Sequence, residues 1–466
     1  MRISLLETAD SYKLSHFAQY PPGATRASSY VEARGGRFAF ARFFGLQALL
    51  KAYLLERVTA ADIDEMTGLA AAHGLPFDAD GWQHVVRAHD GRLPLRIAAV
   101  PEGTDVPVGN VLAQVQNTCD RTWWLPSYVE TLLLHVWYPT TVATVSALAH
   151  ATIASALRRT AEDPESKAAF MLHDFGARGV SSVEAAALGG LAHLVTFRGT
   201  DTISALVAAR AWYAEPMAGF SIPAMEHATV AAWGREGEID AFRAMLRAFG
   251  GPGTTLAMVV DSYDVDAAVD VALGETLREE IVAAGGRVVV RPDSGDPTVV
   301  VPRILRSLAA SFGASCNAKG YAVLAPCVRV LQGDGMNLDT IATLYAAVEQ
   351  AGFSAENVAV GMGGGLLQKV DRDTLGFVMK LSALRVDGAW RDVYKAPKTD
   401  TRKRSKDGRL ALVSGERPGS FETIGVEQLD DRPNVLRDVY RDGELLVDES
   451  LATIRARVAT ARTVTP

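Results

Sequence analysis

Residues 286–298 read GRVVVRPDSGDPT, and this stretch predicts both the fold and the place where its chemistry lies. A run of apolar, β-branched residues such as 288–290 indicates a buried parallel strand. The run leads directly into a polar group that comprises Arg291, Asp293, Ser294, Gly295 and Asp296. Functional side chains therefore gather at the carboxyl end of this strand.

The same pattern recurs five times along the chain. Mostly apolar stretches at 170–172, 194–197, 257–260, 328–331 and 358–360 end in HDFG, RGTD, DSYD, QGDG and GMGGG, respectively. Helical patterns lie between several of them, for example at 267–284 and 338–351. Strands that all carry polar residues at the same end, one βα unit apart, predict an α/β fold. We expect a (β/α) barrel with its active site on the carboxyl face.

A doubly wound open sheet is the alternative, because it shows the same alternation of strands and helices. It also binds ligands at the carboxyl ends of its strands. An open sheet, however, needs polar clusters only near one switch point. Here they follow nearly every strand, which favours the barrel.

The rest of the chain predicts a second, α+β domain built from both chain ends. Residues 1–167 contain helical patterns at 43–91 and 122–160, and between them β-type alternation with turns at 93–116. Residues 168–384 form the predicted barrel. Residues 385–466 read as antiparallel strands, because Asp-Gly pairs at 387–388, 407–408 and 442–443 each signal a hairpin.

Composition indicates a soluble globular enzyme. The 466 residues are 48% hydrophobic and 22% charged, and the formal net charge of −7 argues against a general nucleic-acid binder. Three cysteines, an odd number without metal-ligand spacing, and an N-terminus without a signal-like apolar core favour the cytosol. The apolar run 131–157 is interrupted by His135, Pro139 and His150, so we expect a buried helix and not a membrane span.

Two kinds of residue at the predicted strand ends suit phosphate and ribose chemistry. Glycines 363–365 precede a helical pattern, so backbone N–H groups could approach a phosphate there, although a tight turn would need glycine too. Five carboxylates suggest a site for pyrophosphate with Mg²⁺ or for ribose hydroxyl groups. Each of them could instead be only a turn residue, and we expect two or three of the five to touch ligand. They are Asp261, Asp264, Asp293, Asp296 and Asp334.

Two further features have both a chemical and a structural interpretation. His227, beside Glu226 in the motif AMEHAT, lies at another predicted strand end, where a lone histidine is either structural or chemical. The basic run 402–406 is either a solvated loop or a lid over phosphates.

Together these motifs resemble the nicotinamide phosphoribosyltransferase family, the type II phosphoribosyltransferases of NAD salvage. The resemblance covers nearly the whole chain. It runs through TADSYK, QYPP, WYPTTVAT, HDFGARGVSS, FRGTDT, AMEHAT, VVDSYD, VRPDSG, VLQGDG, GGGLLQK and KRSKDGRL. It implies the joining of nicotinamide to 5-phosphoribosyl 1-pyrophosphate with Mg²⁺, in a homodimer that shares its active sites, with no nucleic-acid or membrane partner.

The resemblance also implies roles for individual residues. Catalytic roles fall to His227, which would be phosphorylated during ATP hydrolysis, and to Asp261, Arg291 and Asp293. Substrate contacts fall to Asp10, Tyr12, Phe175, Arg178, Asp201, Gly333, Asp334, Gly363 and Gly364. Phosphate contacts fall to Arg34, Arg372, Lys395 and Lys403. The residues that hold Mg²⁺ are not indicated, and Met362 stands where the family often has serine.

Two other functions remain open at this stage. Nicotinate phosphoribosyltransferase shares the fold and differs in the charge of its substrate. A non-catalytic signalling homologue is the third possibility, and the presence of Asp261, Arg291, Asp293 and His227 argues against it.

Overall fold

A parallel sheet forms the centre of the predicted barrel in the computed structural model, which describes residues 3–399 and 404–460. Its strands lie in the spatial order Gly199–Thr200, Leu172–Asp174, Val358–Met362, Val328–Gln332, Arg287–Arg291 and Thr255–Val259. Every neighbouring pair is parallel. Their carboxyl ends therefore meet at one edge, as the repeated pattern predicts.

Residues 220–224, here named the closing segment, join the two outer strands of this sheet. Phe220 forms a parallel bridge with Gly199, and Ala224 forms one with Ala257. Backbone hydrogen bonds flank both bridges, for example from Ala257 N to Pro223 O at 2.8 Å. The sheet is thus closed into a barrel, which confirms the predicted fold and excludes the open sheet.

Helices alternate with the barrel strands. They are Val183–His193, Ile203–Tyr213, His227–Ala231, Glu238–Phe249, Ala267–Thr276, Arg278–Ala284, Pro297–Phe312, Leu338–Gln350 and Gly364–Leu367. The predicted strand at 194–197 is wrong, because these residues form the turn after helix Val183–His193 and the strand is the short Gly199–Thr200. A hairpin, Ala314–Cys316 with Ala322–Leu324, follows helix Pro297–Phe312.

A seven-stranded antiparallel sheet draws its strands from both ends of the chain, as predicted for the second domain. Their order is Ala389–Asp392, Phe377–Val386, Ala24–Ala33, Val111–Asn117, Leu95–Ala99, Arg437–Arg441 and Glu444–Leu445. Smaller pairs are Phe40–Arg42 with Asp105–Pro107 and Leu410–Ser414 with Phe421–Gly425. Strand Phe377–Val386 lies in this sheet and not in the barrel, so the last residues of the predicted barrel segment belong here.

Two of the three predicted Asp-Gly hairpins are present. Asp387-Gly388 and Asp442-Gly443 connect paired strands, and all four residues have positive φ, between 50° and 87°. The third is wrong: Gly408 N donates to Ser382 O, and strand Leu410–Ser414 pairs instead with Phe421–Gly425. Asp407-Gly408 is therefore a turn outside a hairpin.

Helices cover the antiparallel sheet and contribute large side chains to its core. They include Leu46–Leu49 with Leu50–Leu54, Ala60–Ala72, Ala79–His89, Leu125–Tyr128, Glu130–Leu134 and Leu451–Thr460. Trp82, Tyr30 and Tyr440 are fully buried in this core. The stretch Glu130–Thr160 is apolar and long enough to cross a membrane, but 72% of it is buried inside the protein, as expected of a core helix.

The chain divides into two compact units. The sheet unit comprises residues 1–144, 210–215 and 371–466, and the barrel unit comprises residues 145–209 and 216–370.

Candidate active site

The carboxyl ends of the barrel strands surround the mouth of a cavity of about 370 Å³. Phe175, Asp201 and Arg291 line it at this end. The cavity continues inside the barrel to Arg287 and Arg329, near the start of their strands. An aromatic ring, a carboxylate and a guanidinium group therefore meet at one opening, which is the expected place for ligand binding in a barrel.

Phe175 occupies its position because the neighbouring strand Val358–Met362 has glycine at position 361, where a side chain would collide with the ring. A Cβ atom on Gly361 would lie 2.0 Å from the Phe175 ring, and one on Gly333 would lie 3.6 Å from it. The Phe175 N–H donates to Met362 O at 3.0 Å, and Met362 itself is fully buried. The half-buried ring is thus held in a fixed orientation at the mouth.

Arg291 contacts both the aromatic ring and a carboxylate. Its guanidinium carbon lies 5.5 Å from the Phe175 ring centroid, within cation–π range. Its Nη2 donates to both carboxylate oxygens of Asp293 at 3.0 Å. Arg291 Nε is buried, and no hydrogen-bond partner for it lies among the described residues. This free donor is available to a ligand at the mouth.

His227 and Asp261 form a hydrogen-bonded pair on the same face. His227 Nε2 lies 3.0 Å from Asp261 Oδ1, and the other Asp261 oxygen accepts from Ser294 Oγ at 2.5 Å and from Asp293 N at 3.0 Å. Burial by itself raises the pKa of Asp261, but the hydrogen bonds from Ser294, His227 and Asp293 together bring that pKa below its usual value. Asp261 is therefore ionised and holds His227, whose side chain is 48% exposed.

Asp201 points to the cavity from the end of strand Gly199–Thr200. Its Oδ1 accepts from Ser221 Oγ in the closing segment at 2.5 Å, and its N–H donates to Asp174 O at 2.9 Å. His173 lies beside it, where burial lowers the pKa of the imidazole and the charge of Asp201 partly opposes that shift. Asp201 consequently presents a carboxylate next to Phe175 and a neutral histidine.

The remaining predicted carboxylates have different roles. Asp264 accepts from the N–H groups of Asp266 and Ala267, and Asp296 caps helix Pro297–Phe312 through Thr298 N at 2.9 Å. Both are turn and cap residues, as the structural interpretation predicts. Asp334 is exposed beside Gly333 at the end of strand Val328–Gln332.

Three other predicted contacts lie at strand ends of the same unit. Arg178 is exposed on the short turn Ala177–Gly179, directly after Phe175. Gly363 and Gly364 begin the short helix Gly364–Leu367. A Cβ on Gly364 would meet nothing within 4 Å, so its backbone is open to a ligand.

Predicted phosphate contacts lie in the sheet unit. Arg34 Nε donates to Glu32 Oε1 at 2.8 Å, Arg372 pairs with Asp373 on the surface, and Lys395 is exposed. Lys403 lies outside the described residues, as does part of the basic run 402–406.

Lys380 lies near the positively charged residues Arg34 and Arg372 of the sheet unit, and it was not identified from the sequence. Burial lowers the pKa of Lys380 most, and nearby positive charges lower it further. These charges belong to Arg34, Lys13 and Arg372, while Glu130 opposes them. A lysine within the apolar strand FVMKLSALRV was the signal.

Asp10 and Tyr12 lie at the start of the sheet unit. Asp10 accepts from Thr131 Oγ1 at 2.8 Å, and the Tyr12 side chain is 56% exposed on the turn helix Ser11–Ala18. Ser221, which donates to Asp201, was also missed, and only the surrounding motif pointed to it. Ser294, which donates to Asp261, was part of the predicted polar group but had been given no role.

Two family models match the chain. The nicotinate phosphoribosyltransferase (NAPRTase) family matches residues 170–444, and the nicotinamide phosphoribosyltransferase N-terminal domain matches residues 4–97. The first match covers all of the predicted barrel-side site residues, from Phe175 to Gly364.

Curated relatives align with the chain over nearly its full length. A protein named nicotinamide phosphoribosyltransferase from Xanthomonas campestris is 51% identical over 98% of this chain and 99% of its own. Another protein of the same name, from Acinetobacter baylyi, is 30% identical over 98% of this chain and 97% of its own.

Solved structures resemble the fold at low sequence identity. Nicotinate-nucleotide pyrophosphorylase from Pyrococcus furiosus has a TM-score of 0.62 at 15% identity, over 97% of this chain and 94% of its own. Human nicotinic acid phosphoribosyltransferase has a TM-score of 0.58 at 20% identity, over 97% and 93%. At these identities the likeness concerns the fold alone.

Proposed function

Because the chain belongs to the nicotinate phosphoribosyltransferase family, we propose that its site joins nicotinamide to 5-phosphoribosyl 1-pyrophosphate, with nicotinamide mononucleotide and pyrophosphate as products. The enzyme is a pentosyltransferase. The two curated relatives described above carry the name nicotinamide phosphoribosyltransferase. The observation that carries the proposal is the meeting of Phe175, Arg291 and Asp201 at the mouth of one cavity.

The chemistry needs orientation and charge more than it needs a base. The pyridine nitrogen attacks C1 of the ribose with its own lone pair, and the C1–O bond to pyrophosphate breaks. Phe175 offers a flat face that orients the ring, and the Asp293 carboxylate suits ribose hydroxyl groups. Positive charge develops on the ribose and negative charge on the leaving group, which cations such as Arg291 stabilise.

A magnesium ion fits this site mainly through substrate oxygens. Asp261 and Asp293 are already engaged by hydrogen-bond donors, whereas Asp334 is exposed. Mg²⁺ prefers one or two carboxylates together with phosphates and water, so Asp334 is the residue that would contribute. When bound, the ion neutralises charge on the leaving pyrophosphate.

A single assay tests the proposed reaction against its rival. Purified protein receives 5-phosphoribosyl 1-pyrophosphate, Mg²⁺ and either nicotinamide or nicotinate, and each mononucleotide is quantified. We expect nicotinamide mononucleotide as the main product. A preference for nicotinate would assign the rival function, and no turnover with either pyridine would assign a non-catalytic role.

ATP coupling through His227 is the second part of the proposal. Because His227 Nε2 bonds to Asp261, the proton is assigned to Nε2 and the Nδ1 lone pair is left as nucleophile for the γ-phosphoryl group of ATP. The ionised Asp261 then stabilises the positive charge on the imidazole. The pyridine nitrogen needs no base, so glycosyl transfer itself does not require His227.

Replacing His227 by alanine should therefore remove ATP hydrolysis and the ATP-dependent part of the rate, while ATP-independent synthesis continues. Phosphate release and mononucleotide formation are measured in parallel, with and without ATP. Glu226→Gln, at the neighbouring exposed position, is the control and should keep both ATP hydrolysis and the ATP-dependent part of the rate. Loss of all synthesis by a variant that still binds both substrates would contradict this role.

We further propose a homodimer in which one protomer completes the site of the other. The proposal rests on the family resemblance and on Tyr12, an exposed aromatic residue of the sheet unit that suits stacking on the pyridine ring. Such a contact would bury a ring that is otherwise exposed to water.

Mixing Tyr12→Ala with Arg291→Ala chains should restore part of the activity that each variant lacks, because some sites in mixed dimers receive both intact residues. Activity is measured after subunit exchange, which is confirmed by differently tagged chains. Tyr20→Phe is the matched control and should be active without mixing. A mixture no more active than its components would exclude a shared site.

A further inference from the structure

Two histidines and a cysteine converge in the sheet unit, and the proposed function uses none of them. His84 and His89 lie on helix Ala79–His89, and Cys119 follows strand Val111–Asn117. One ligand atom from each of the three residues lies within 4.8 Å of the others. We propose that this cluster is a binding site for a transition-metal ion, with Zn²⁺ as the best-fitting ion.

One donor–donor distance already approaches that of a zinc site. His84 Nε2 lies 3.4 Å from Cys119 Sγ. Tetrahedral zinc with ordinary bond lengths places its nitrogen and sulfur ligands roughly 3.6 Å apart. The His84 and His89 rings are 5.6 Å apart between centroids and nearly perpendicular at 81°.

His89 supplies an independent sign of a ligand. Its Nε2 is buried, and no hydrogen-bond partner lies within reach among residues 3–399 and 404–460. A buried ring nitrogen without a partner loses its hydration without compensation. Coordination to a metal ion would satisfy this nitrogen together with His84 and Cys119.

The ligand types and the nearby charges favour a thiolate-binding metal. Arg121 and Arg87 lie close enough to His84 to act on it electrostatically, and their positive charges oppose a cation. In the bound state the Cys119 thiolate offsets these charges, so such a metal is favoured over Mg²⁺ or Ca²⁺.

A bound ion would fasten the helix to the end of strand Val111–Asn117, the central strand of the antiparallel sheet. Just before Cys119, the Asn117 side chain accepts from Ala27 N at 2.7 Å and donates to Thr25 O at 2.8 Å. Coordination would thus tie helix Ala79–His89 to a junction that already holds strand Ala24–Ala33. With three protein ligands, water takes the fourth position.

The test measures metal binding to the full chain, purified without a polyhistidine tag. Zn²⁺ is titrated against a chromophoric chelator, and Co²⁺ is used as a spectroscopic substitute. We expect one Zn²⁺ per chain and a thiolate-to-cobalt charge-transfer band. Cys119→Ser should abolish the band, and Cys119→Ser and His89→Ala should each weaken Zn²⁺ binding by roughly 100-fold, since even lost outer-shell partners cost about 10–100-fold.

Matched controls are Cys316→Ser and His73→Ala, which remove an exposed thiol and an exposed imidazole. Both should keep the affinity and the cobalt band. Zn²⁺ should also raise the Tm of the unmodified chain and not that of Cys119→Ser, because a ligand stabilises only the state that binds it. His84→Gln replaces His89→Ala if the latter does not fold. Unchanged affinity in Cys119→Ser, or no stoichiometric binding by the unmodified chain, would overturn the proposal.

Discussion

Replacing Arg291 by alanine should lower kcat/KM for nicotinamide mononucleotide formation by about three orders of magnitude. Arg291 contacts the Phe175 ring and the Asp293 carboxylate at once, and its buried Nε remains available to a ligand. Loss of one preorganised donor to a transition state costs about 10²–10³-fold. Here the change also removes a full charge and leaves Asp293 without its partner. Steady-state kinetics with saturating Mg²⁺ measure the loss.

Two further variants separate the catalytic role of Arg291 from a structural one. Arg291→Lys keeps the charge but not the planar fork, so it should recover only part of the activity. Arg303 lies on helix Pro297–Phe312 and forms an exposed ion pair with Asp266. Arg303→Ala breaks this pair and should keep kcat/KM within about threefold of that of the unmodified enzyme. If Arg291→Ala folds normally and its kcat/KM falls by less than about tenfold, Arg291 does not stabilise the transition state.

The Arg291→Ala/Asp293→Ala double variant tests whether the two residues act as a unit. Because Arg291 Nη2 donates to both carboxylate oxygens of Asp293, the double variant should lose less activity than the product of the two single losses. Independent, multiplicative losses would mean that Asp293 contributes without positioning Arg291.

The barrel was predictable from the sequence because burial on both faces of a parallel strand demands an uninterrupted apolar run. Strands Thr255–Val259 and Arg287–Arg291 follow that rule, with apolar runs at 256–259 and 288–290, whereas Arg329 interrupts strand Val328–Gln332. The run at 194–197 follows it too, yet these residues are the buried turn after a helix. A buried turn and a buried strand can have the same apolar composition, so a run of four residues does not distinguish the two structures.

Other elements escaped prediction because their stabilisation is not local. Strand Ala24–Ala33 contains Ser28, Ser29 and Glu32, all buried, and reads as polar. Its partners lie far along the chain: Lys406 pairs with Glu32 at 2.6 Å, and Ser382 donates to Ser28 O. The closing segment holds only single bridges and contains Pro223, so it carries no strand pattern.

The roles of the individual carboxylates also depend on contacts that are distant in sequence. Asp261, Asp264, Asp293 and Asp296 all follow apolar runs within similar turns. Only long-range partners separate them: Asp261 meets His227 from 34 residues away, whereas Asp264 and Asp296 bind the N–H groups that follow them. Sequence reasoning could find the group but not its division into site residues and caps.

We propose that substrate choice depends on Asp201, which precedes the start of helix Ile203–Tyr213 by two residues and therefore has a helix cap as its alternative role. A cap of helix Ile203–Tyr213 would bind the first N–H groups of that helix. In the described structure, however, Asp201 Oδ1 accepts from Ser221 Oγ, and the carboxylate lines the cavity beside Phe175. A carboxylate there can accept from the amide NH₂ of nicotinamide, whereas it repels the carboxylate of nicotinate.

Replacing Asp201 by asparagine should therefore narrow the preference for nicotinamide over nicotinate by at least tenfold. A like-charge mismatch in a partly desolvated site of about 3 kcal/mol corresponds to a factor of about one hundred in kcat/KM. The amide keeps the size of the side chain and its bond with Ser221, yet it removes the charge and can donate to a carboxylate. The measurement is the ratio of kcat/KM values for the two pyridines, with Asp296→Asn, a true helix cap, as the control that should leave this ratio unchanged. A well-folded Asp201→Asn enzyme with an unchanged ratio would show that the carboxylate does not face the substituent of the ring, and the selectivity would then have to come from the neutral His173 or from Arg178.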